Sequence, residues 1–285
     1  MLFGIDVASV DENKNTNWQL AKAHGPISFA IIRSNQSARV DPQFGKTWPQ
    51  LKATGLVRGA YMFLDFPSKG KPKPAAPEVQ AQTMVDAVGE LDATDLPPSL
   101  DVEFPGGRAQ TGMTPSAAID WVRAAWTVLR DAYDTPPMIY TSARVWREDL
   151  DDEPAPDLVE SPLWLARYFF KERTPARRDA AAFSNGQRLP PVPAPWGSAW
   201  AVHQYQGDAI QHPGFSSTVD MNRFNSLLRG STGDTVKWAQ RRLGIAESGK
   251  FDNAVFDAVV AFQRSRDLVD DGIIGPRTFA ALCWK

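Results

Sequence analysis

The sequence is poor in most of the features that give a quick reading. It holds a single cysteine, Cys283, in 285 residues. One cysteine closes no internal disulfide and leaves no spacing for a structural zinc site. Cys283 stands in the apolar run AALCW and reads as a core residue. Neither sign of charge dominates: the formal net charge is -2, which argues against a basic footprint for nucleic acid or for an anionic membrane. No apolar run is long enough to span a bilayer. The opening MLFGIDVASVDENKN has no basic stretch followed by an apolar one, so no secretory leader is expected and synthesis is expected in the cytoplasm. A Gly-x-Gly-x-x-Gly after the first strand is also missing, which leaves a dinucleotide site unsupported. No metal and no cofactor are expected.

What the sequence does contain is a series of short apolar runs: LFGIDV, ISFAIIR, LVRGAYMF, PPSLDVEF, PPMIYTS, PLWLARYF and AWAVHQYQ. Most lack clean alternation, as strands buried on both faces of a parallel sheet do. Helical stretches lie between them. The clearest runs from Thr114, a natural N-cap, through Pro115 at the first helical position to Tyr133; Ile119, Val122, Trp126, Leu129 and Tyr133 share one face. Alternating strands and helices over about 220 residues predict an α/β fold, a barrel of the TIM type rather than an open sheet. Three proline-rich segments, FPSKGKPKPAAPE, DDEPAPD and LPPVPAPWG, read as surface loops.

The pattern changes after Asn225. LLRGSTGDTVKWAQRRLGI, KFDNAVFDAVVAFQRSRDL and DDGIIGPRTFAALCW each give a short amphipathic helix, the last opened by Pro276. The expected organisation is a barrel over residues 1–226 and a small all-α three-helix bundle over 227–285, each with its own apolar pattern and able to fold alone.

In a β/α barrel the reacting groups sit at the C-terminal ends of the strands. Polar residues gather there: Asp6, Asp65, the pair Asp101 and Glu103, Tyr140, Tyr168 and Gln204. Asp101 and Glu103 are two apart, so in a strand they share a face about 6.6 Å apart. Neighbouring carboxyls in a partly dry cleft keep one of the two protonated. A protonated acid beside an ionised one is the arrangement that cleaves glycosidic bonds. Each acid taken singly has a plainer reading, a barrel-mouth residue paired with an arginine or a helix N-terminus. The aromatics Tyr61, Tyr140, Trp164 and Tyr168 suit stacking on sugar rings and suit core packing equally. His203 and His212 have no Ser or Cys partner and read as structural or surface residues.

The ordered pieces FGIDVAS, FAIIRSNQSARVDPQF, GLVRGAYMFLDF, LDVEF, MIYTSARVW, LWLARY, VHQYQGD and TVDMNRF resemble the family 25 glycoside hydrolases, the lysozymes of bacterial and phage muramidase type. The resemblance implies an irregular β/α barrel that cleaves the β-1,4 bond between N-acetylmuramic acid and N-acetylglucosamine. It implies Glu103 as acid/base, with Asp6, Asp101 and Asp220 lining the cleft, and it marks Tyr61, Tyr140, Trp164, Tyr168 and Gln204 as substrate-binding. The sequence departs from the family pattern at Gln36, where a glutamate is common, at Met62, where His is common, and at His203, where Trp is common. Residues 227–285 resemble the three-helix peptidoglycan-binding domain, and two of their pieces look like copies of one loop-helix unit. Together these imply a monomeric, endolysin-like muramidase with bacterial peptidoglycan as partner, acting on the wall after release at lysis. An injected wall-degrading toxin would look the same. Rival readings are a wall-binding protein with a degenerate barrel, for which Gln36 would be a sign, and hydrolysis of chitin or another glycan.

Overall fold

The computed structural model describes residues 1–8, 16–25, 27–178, 183 and 189–284. Its centre is one sheet that closes on itself. In chain order the strands are β1 (Leu2–Val7), β2 (Ile27–Gln36), β3 (Arg39–Val40), β4 (Val57–Phe63), β5 (Ser99–Asp101), β6 (Met138–Thr141), β7 (Leu163–Ala166), β8 (Val202–Ala209) and β9 (Val219–Phe224). β1, β2 and β4 to β8 run parallel to their neighbours, and β9 lies antiparallel between β8 and β1. β3 only extends the end of β2, so eight strands make the ring.

The seven runs read as strands are all strands of the barrel. β9 was not foreseen as one. Its sequence, VDMNRF, alternates apolar and polar only from Val219 to Asn222 before Arg223 breaks the pattern, too short a signal to single it out. Among the described residues four α-helices pack outside: α1 (Trp18–His24), α2 (Phe44–Thr54), α3 (Pro77–Val88) and α4 (Pro115–Tyr133). α4 starts as its sequence dictates: the Thr114 hydroxyl accepts from the Ala117 N–H at 3.2 Å, and Ile119, Val122, Trp126 and Leu129 are buried. The irregularity lies in the second half. β6 is followed by one π-helical turn, Val145–Asp149, in place of an α-helix.

The three C-terminal helices, α5 (Asp234–Leu243), α6 (Asn253–Ser265) and α7 (Pro276–Cys283), close the barrel at the N-terminal ends of its parallel strands. One apolar cluster runs from Phe29, Val57, Leu96, Met138, Val202 and Phe224 of the barrel into Val236, Val255, Val259, Phe279 and Leu282 of the bundle. The Phe224 and Phe279 rings meet edge-on with centroids 5.3 Å apart. The Thr135 hydroxyl donates to the Cys283 carbonyl at 2.8 Å, the Trp284 indole donates to the Asp95 carbonyl at 2.6 Å, and Leu227 bridges Ile274. The two units thus share a core, which the sequence, with two separate apolar patterns, did not disclose.

The internal duplication is visible as repeated hydrogen bonding. The buried Gln240 accepts from the Gly249 N–H at 2.8 Å and donates to Ser248 Oγ at 2.8 Å. One unit later, the buried Gln263 accepts from the Gly272 N–H at 2.9 Å and donates to the Ile273 carbonyl at 3.0 Å and Thr278 Oγ1 at 3.1 Å. A glutamine amide serves both ends of such a loop because it carries donor and acceptor on one rigid plane.

Candidate active site

At the other end of the barrel the strand register gathers polar residues. Asp6 on β1 stands directly opposite Asp220 on β9, and Gln204 on β8 opposite Asn222 on β9. Asp101 is in register with Tyr140 of β6. Amide donors converge on the first two acids. Gln204 Nε2 donates to Asp6 at 2.9 and 3.1 Å and to Asp220 Oδ2 at 3.1 Å. Asn222 Nδ2 donates to Asp6, and the Asp208 N–H donates to Asp220 at 2.7 Å. An ionised carboxylate only accepts, so a set of N–H donors is the matching environment. The acceptor ends of the two amides are used as well: Tyr140 donates to Gln204 Oε1 at 2.7 Å and Trp164 Nε1 donates to Asn222 Oδ1 at 2.8 Å.

Asp101 and Glu103 are treated differently. β5 stops at Asp101, and the Val102 N–H still donates to the Tyr140 carbonyl at 2.9 Å, so Glu103 follows on chain held against β6. Asp101 is buried, and its Oδ1 has no hydrogen-bond partner among the described residues. Burial, with the charges of Glu103 and Asp6 added, pushes its pKa well above the usual carboxylate range against a small opposing pull from Arg33. Glu103 is half-buried, and burial raises its pKa too, while the Tyr140 hydroxyl and Arg144 pull it down. The Tyr140 hydroxyl has one proton, which Gln204 Oε1 and an ionised Glu103 compete for. The result is one pair of acids ringed by donors and one pair whose charge is disfavoured, which separates acid from anion in the same cleft.

The cleft extends to both sides of Glu103. One arm, about 670 Å³, is lined by Tyr140, Ser142, Arg144, Arg147, Arg167 and Tyr168; the other, about 570 Å³, by Gln36, Asp65, Phe66, Lys71, Lys73 and Gln110. Gln36 donates to Asp65 Oδ1 at 3.2 Å, so the residue that replaces a glutamate is part of this second arm.

Of the residues named from sequence, the structure brings Asp6, Asp101, Glu103, Asp220, Tyr140 and Gln204 into one network, with Tyr61 beneath Asp6 and Asp101. Tyr168 is 40% exposed at the rim. It packs against Gly207, where an added Cβ would come within 2.7 Å of its ring. Trp164 is only 1% exposed and meets Tyr140 and Tyr61 edge-on, so it supports the floor and has no face free for a sugar. Gln204 likewise spends its amide on protein groups. Met62 is wholly buried. His203 is buried and kept neutral: burial, with Arg223 beside it, lowers its pKa to about 3, though the hydrogen bond to the Arg167 carbonyl opposes this. Sequence reading missed Asn222 and Arg33. Asn222 shares a face with Asp220 two residues away, the same spacing that drew attention to Asp101 and Glu103. Among the described residues no group of His, Cys, Asp and Glu side chains has a metal-holding arrangement, and no helix is long and apolar enough to cross a membrane.

The family model for glycosyl hydrolases family 25 matches residues 5–214, and that for a putative peptidoglycan binding domain matches residues 232–282. The uncharacterized protein YegX of Escherichia coli O157:H7 is 28% identical over 229 residues, which are 79% of this chain and 70% of that protein. Lysozyme M1 of Streptomyces globisporus is 25% identical over 226 residues, 78% of this chain and 67% of the lysozyme. Among solved structures, the bacterial lysozyme from Streptomyces coelicolor superposes with a TM-score of 0.62 at 24% identity, over 79% of this chain and 92% of that one.

Proposed function

The chain belongs to glycosyl hydrolase family 25, and from that premise we propose that it is an N-acetylmuramidase, cleaving the β-1,4 bond from N-acetylmuramic acid to N-acetylglucosamine in bacterial peptidoglycan. That it is a lysozyme-like peptidoglycan hydrolase carrying a peptidoglycan-binding domain follows from the two family matches together. The observation that carries the finer reading is the divided electrostatics of the cleft: Glu103 and Asp101 with raised pKa values next to Asp6 and Asp220 ringed by amide donors.

In this reading Glu103 gives its proton to the glycosidic oxygen as the bond from the anomeric carbon to that oxygen breaks. The positive charge that grows on the ring faces Asp6 and Asp220, whose donors hold them in place. Glu103, now ionised, takes a proton from the water that attacks the anomeric carbon, which returns it to its starting state. Asp101, buried beside Glu103, completes the pair of acids whose charge is disfavoured. Tyr140 and Tyr168 line the path of the sugar, and the buried Tyr61 packs behind them against Trp164. We assign the enzyme an endolysin-like role on the wall, released at lysis or delivered there.

The deciding experiment is digestion of purified walls followed by mass spectrometry of the reduced fragments. Muramic acid at the reducing ends is the expected outcome. N-acetylglucosamine at the reducing ends would overturn the choice of bond.

A further inference from the structure

We propose that the arginine-lined arm of the cleft binds the stem-peptide carboxylates carried by the muramic acid next to the scissile bond, and so selects peptide-bearing, anionic strands. The inference rests on the muramidase reading and adds a specificity site to it.

The arm of about 670 Å³ opens on Glu103, so whatever fills it belongs to the strand being cut. Arg144, Arg147 and Arg167 line it, and among the described residues Glu103 is the only acid in its lining. Glu103 is itself pushed towards its neutral form. The acids that meet two of these arginines come from the next turn: Glu148 lies 3.0 Å from Arg147, and Glu148 and Asp149 lie 3.6 and 3.5 Å from Arg144. Both arginine side chains stay more than half exposed, at 57% and 63%. Arg167 is exposed and makes no ion pair among the described residues. The opposite arm is mixed, with Lys71 and Lys73 set against Asp65.

Arg167 is also well mounted. Its N–H donates to the Gln204 carbonyl at 3.0 Å, and its carbonyl accepts from His203 Nε2 at 2.8 Å. His203 Nδ1 in turn accepts from Arg223 Nε at 2.9 Å. The guanidinium therefore swings from a fixed point beside the catalytic network. The sugar hydroxyls and acetamido groups of a glycan are neutral, and three arginines gain little from them. Guanidinium groups match carboxylates in fork geometry. On a peptidoglycan strand the carboxylates hang from the lactyl group of muramic acid, the same sugar whose anomeric bond is broken.

The test uses the full-length enzyme on soluble peptidoglycan strands that carry stem peptides. One portion keeps its carboxylates and a second has them converted to amides. The wild type is expected to show kcat/KM about tenfold lower on the amidated strands, the range of a lost charge-assisted contact. The R147A/R167A double variant should lose about tenfold on the carboxylate strands and nothing further on the amidated ones. The wild-type preference should shrink in added salt, because exposed charges are screened. Equal wild-type rates on both strands, or an equal loss by the double variant on both, would overturn the site. Insoluble walls assayed before and after removal of phosphate polymers separate the other anionic source: an arginine effect that appears only while phosphate is present would assign the arm to phosphodiesters and sink the carboxylate proposal. Cleavage of the amidated strands by the wild type, and its loss in Glu103→Gln, reports on the reaction itself, so the two readings fail separately.

Discussion

In the proposed mechanism Glu103 is the side chain whose proton the reaction needs. Glu103→Gln keeps its shape and removes that proton, and a general acid/base contributes about 10²–10⁴-fold. Turbidity assays on walls should show at least about a hundredfold loss, with the circular dichroism spectrum and wall binding unchanged. Arg144 pulls the Glu103 pKa down. Removing that cation favours the protonated acid, so Arg144→Ala should move the alkaline limb of the pH–activity profile to higher pH; a limb that stays put would detach Arg144 from Glu103. Asp101 tests the same electrostatics through stability. Its folded pKa is raised, so the stability it contributes is present below the unfolded value, about 3.9, and is lost as pH rises through the folded value. Asp101→Asn, neutral throughout, should therefore melt higher than the wild type at pH 7, by about 1–2 kcal/mol or roughly 2–8 °C. The gain should vanish near pH 3, and activity should fall at every pH. Calorimetry of both proteins at the two pH values checks the sign.

At the scale of elements, β9 does most to build the site. Running antiparallel between β8 and β1, it sets Asp220 beside Asp6 and Asn222 beside Gln204 in one register. Asn222 then joins the strands through its side chain, giving to Asp6 and taking from Trp164. Asn222→Ala leaves the buried Trp164 N–H unpaired and takes a donor from Asp6. The expected result is a loss of about 1–3 kcal/mol in chemical denaturation, together with a lower kcat. Trp164→Phe provides the control, because it removes the indole N–H and keeps the donor to Asp6; its kcat should stay closer to the wild type.

For the whole molecule, the position of the helical unit matters most. It packs on the barrel floor, at the end away from Glu103, and its Phe279 completes a core shared with Phe29, Val202 and Phe224. A chain ending at Ser226 would leave that floor bare to water. Such a truncated chain should aggregate or unfold without a cooperative transition, and the full-length enzyme should melt in a single one. Phe279→Ala should cost about 3–5 kcal/mol, as core phenylalanines do. A soluble truncated barrel with a sharp melt and activity on soluble glycan would show that the expected independence of the two units holds after all, and that the shared cluster contributes little. The bundle is thus a structural part of the enzyme as well as the unit that resembles a wall anchor.

Much of this was legible in the sequence, for a local reason. Strand and helix periods are set by the chain itself, so the runs that became β1, β2 and β4 to β8, the Thr114 cap of α4 and the duplicated loop-helix unit could be read directly. The Asp-x-Glu spacing at a strand end pointed to the cleft before any partner was known. What only the tertiary structure decided is what meets across long stretches of chain. Asp6 and Asp220 adjoin because β9 closes the ring, and the brief alternation in VDMNRF does not say which strands it will pair with. Trp164 and Gln204 could be matched to a sugar site by type, yet their hydrogen bonds turn them towards Asn222 and the acids. The amphipathic faces of α5, α6 and α7 showed that something would be buried there; that the barrel floor would cover them was fixed by packing, because an apolar face specifies burial but not its partner.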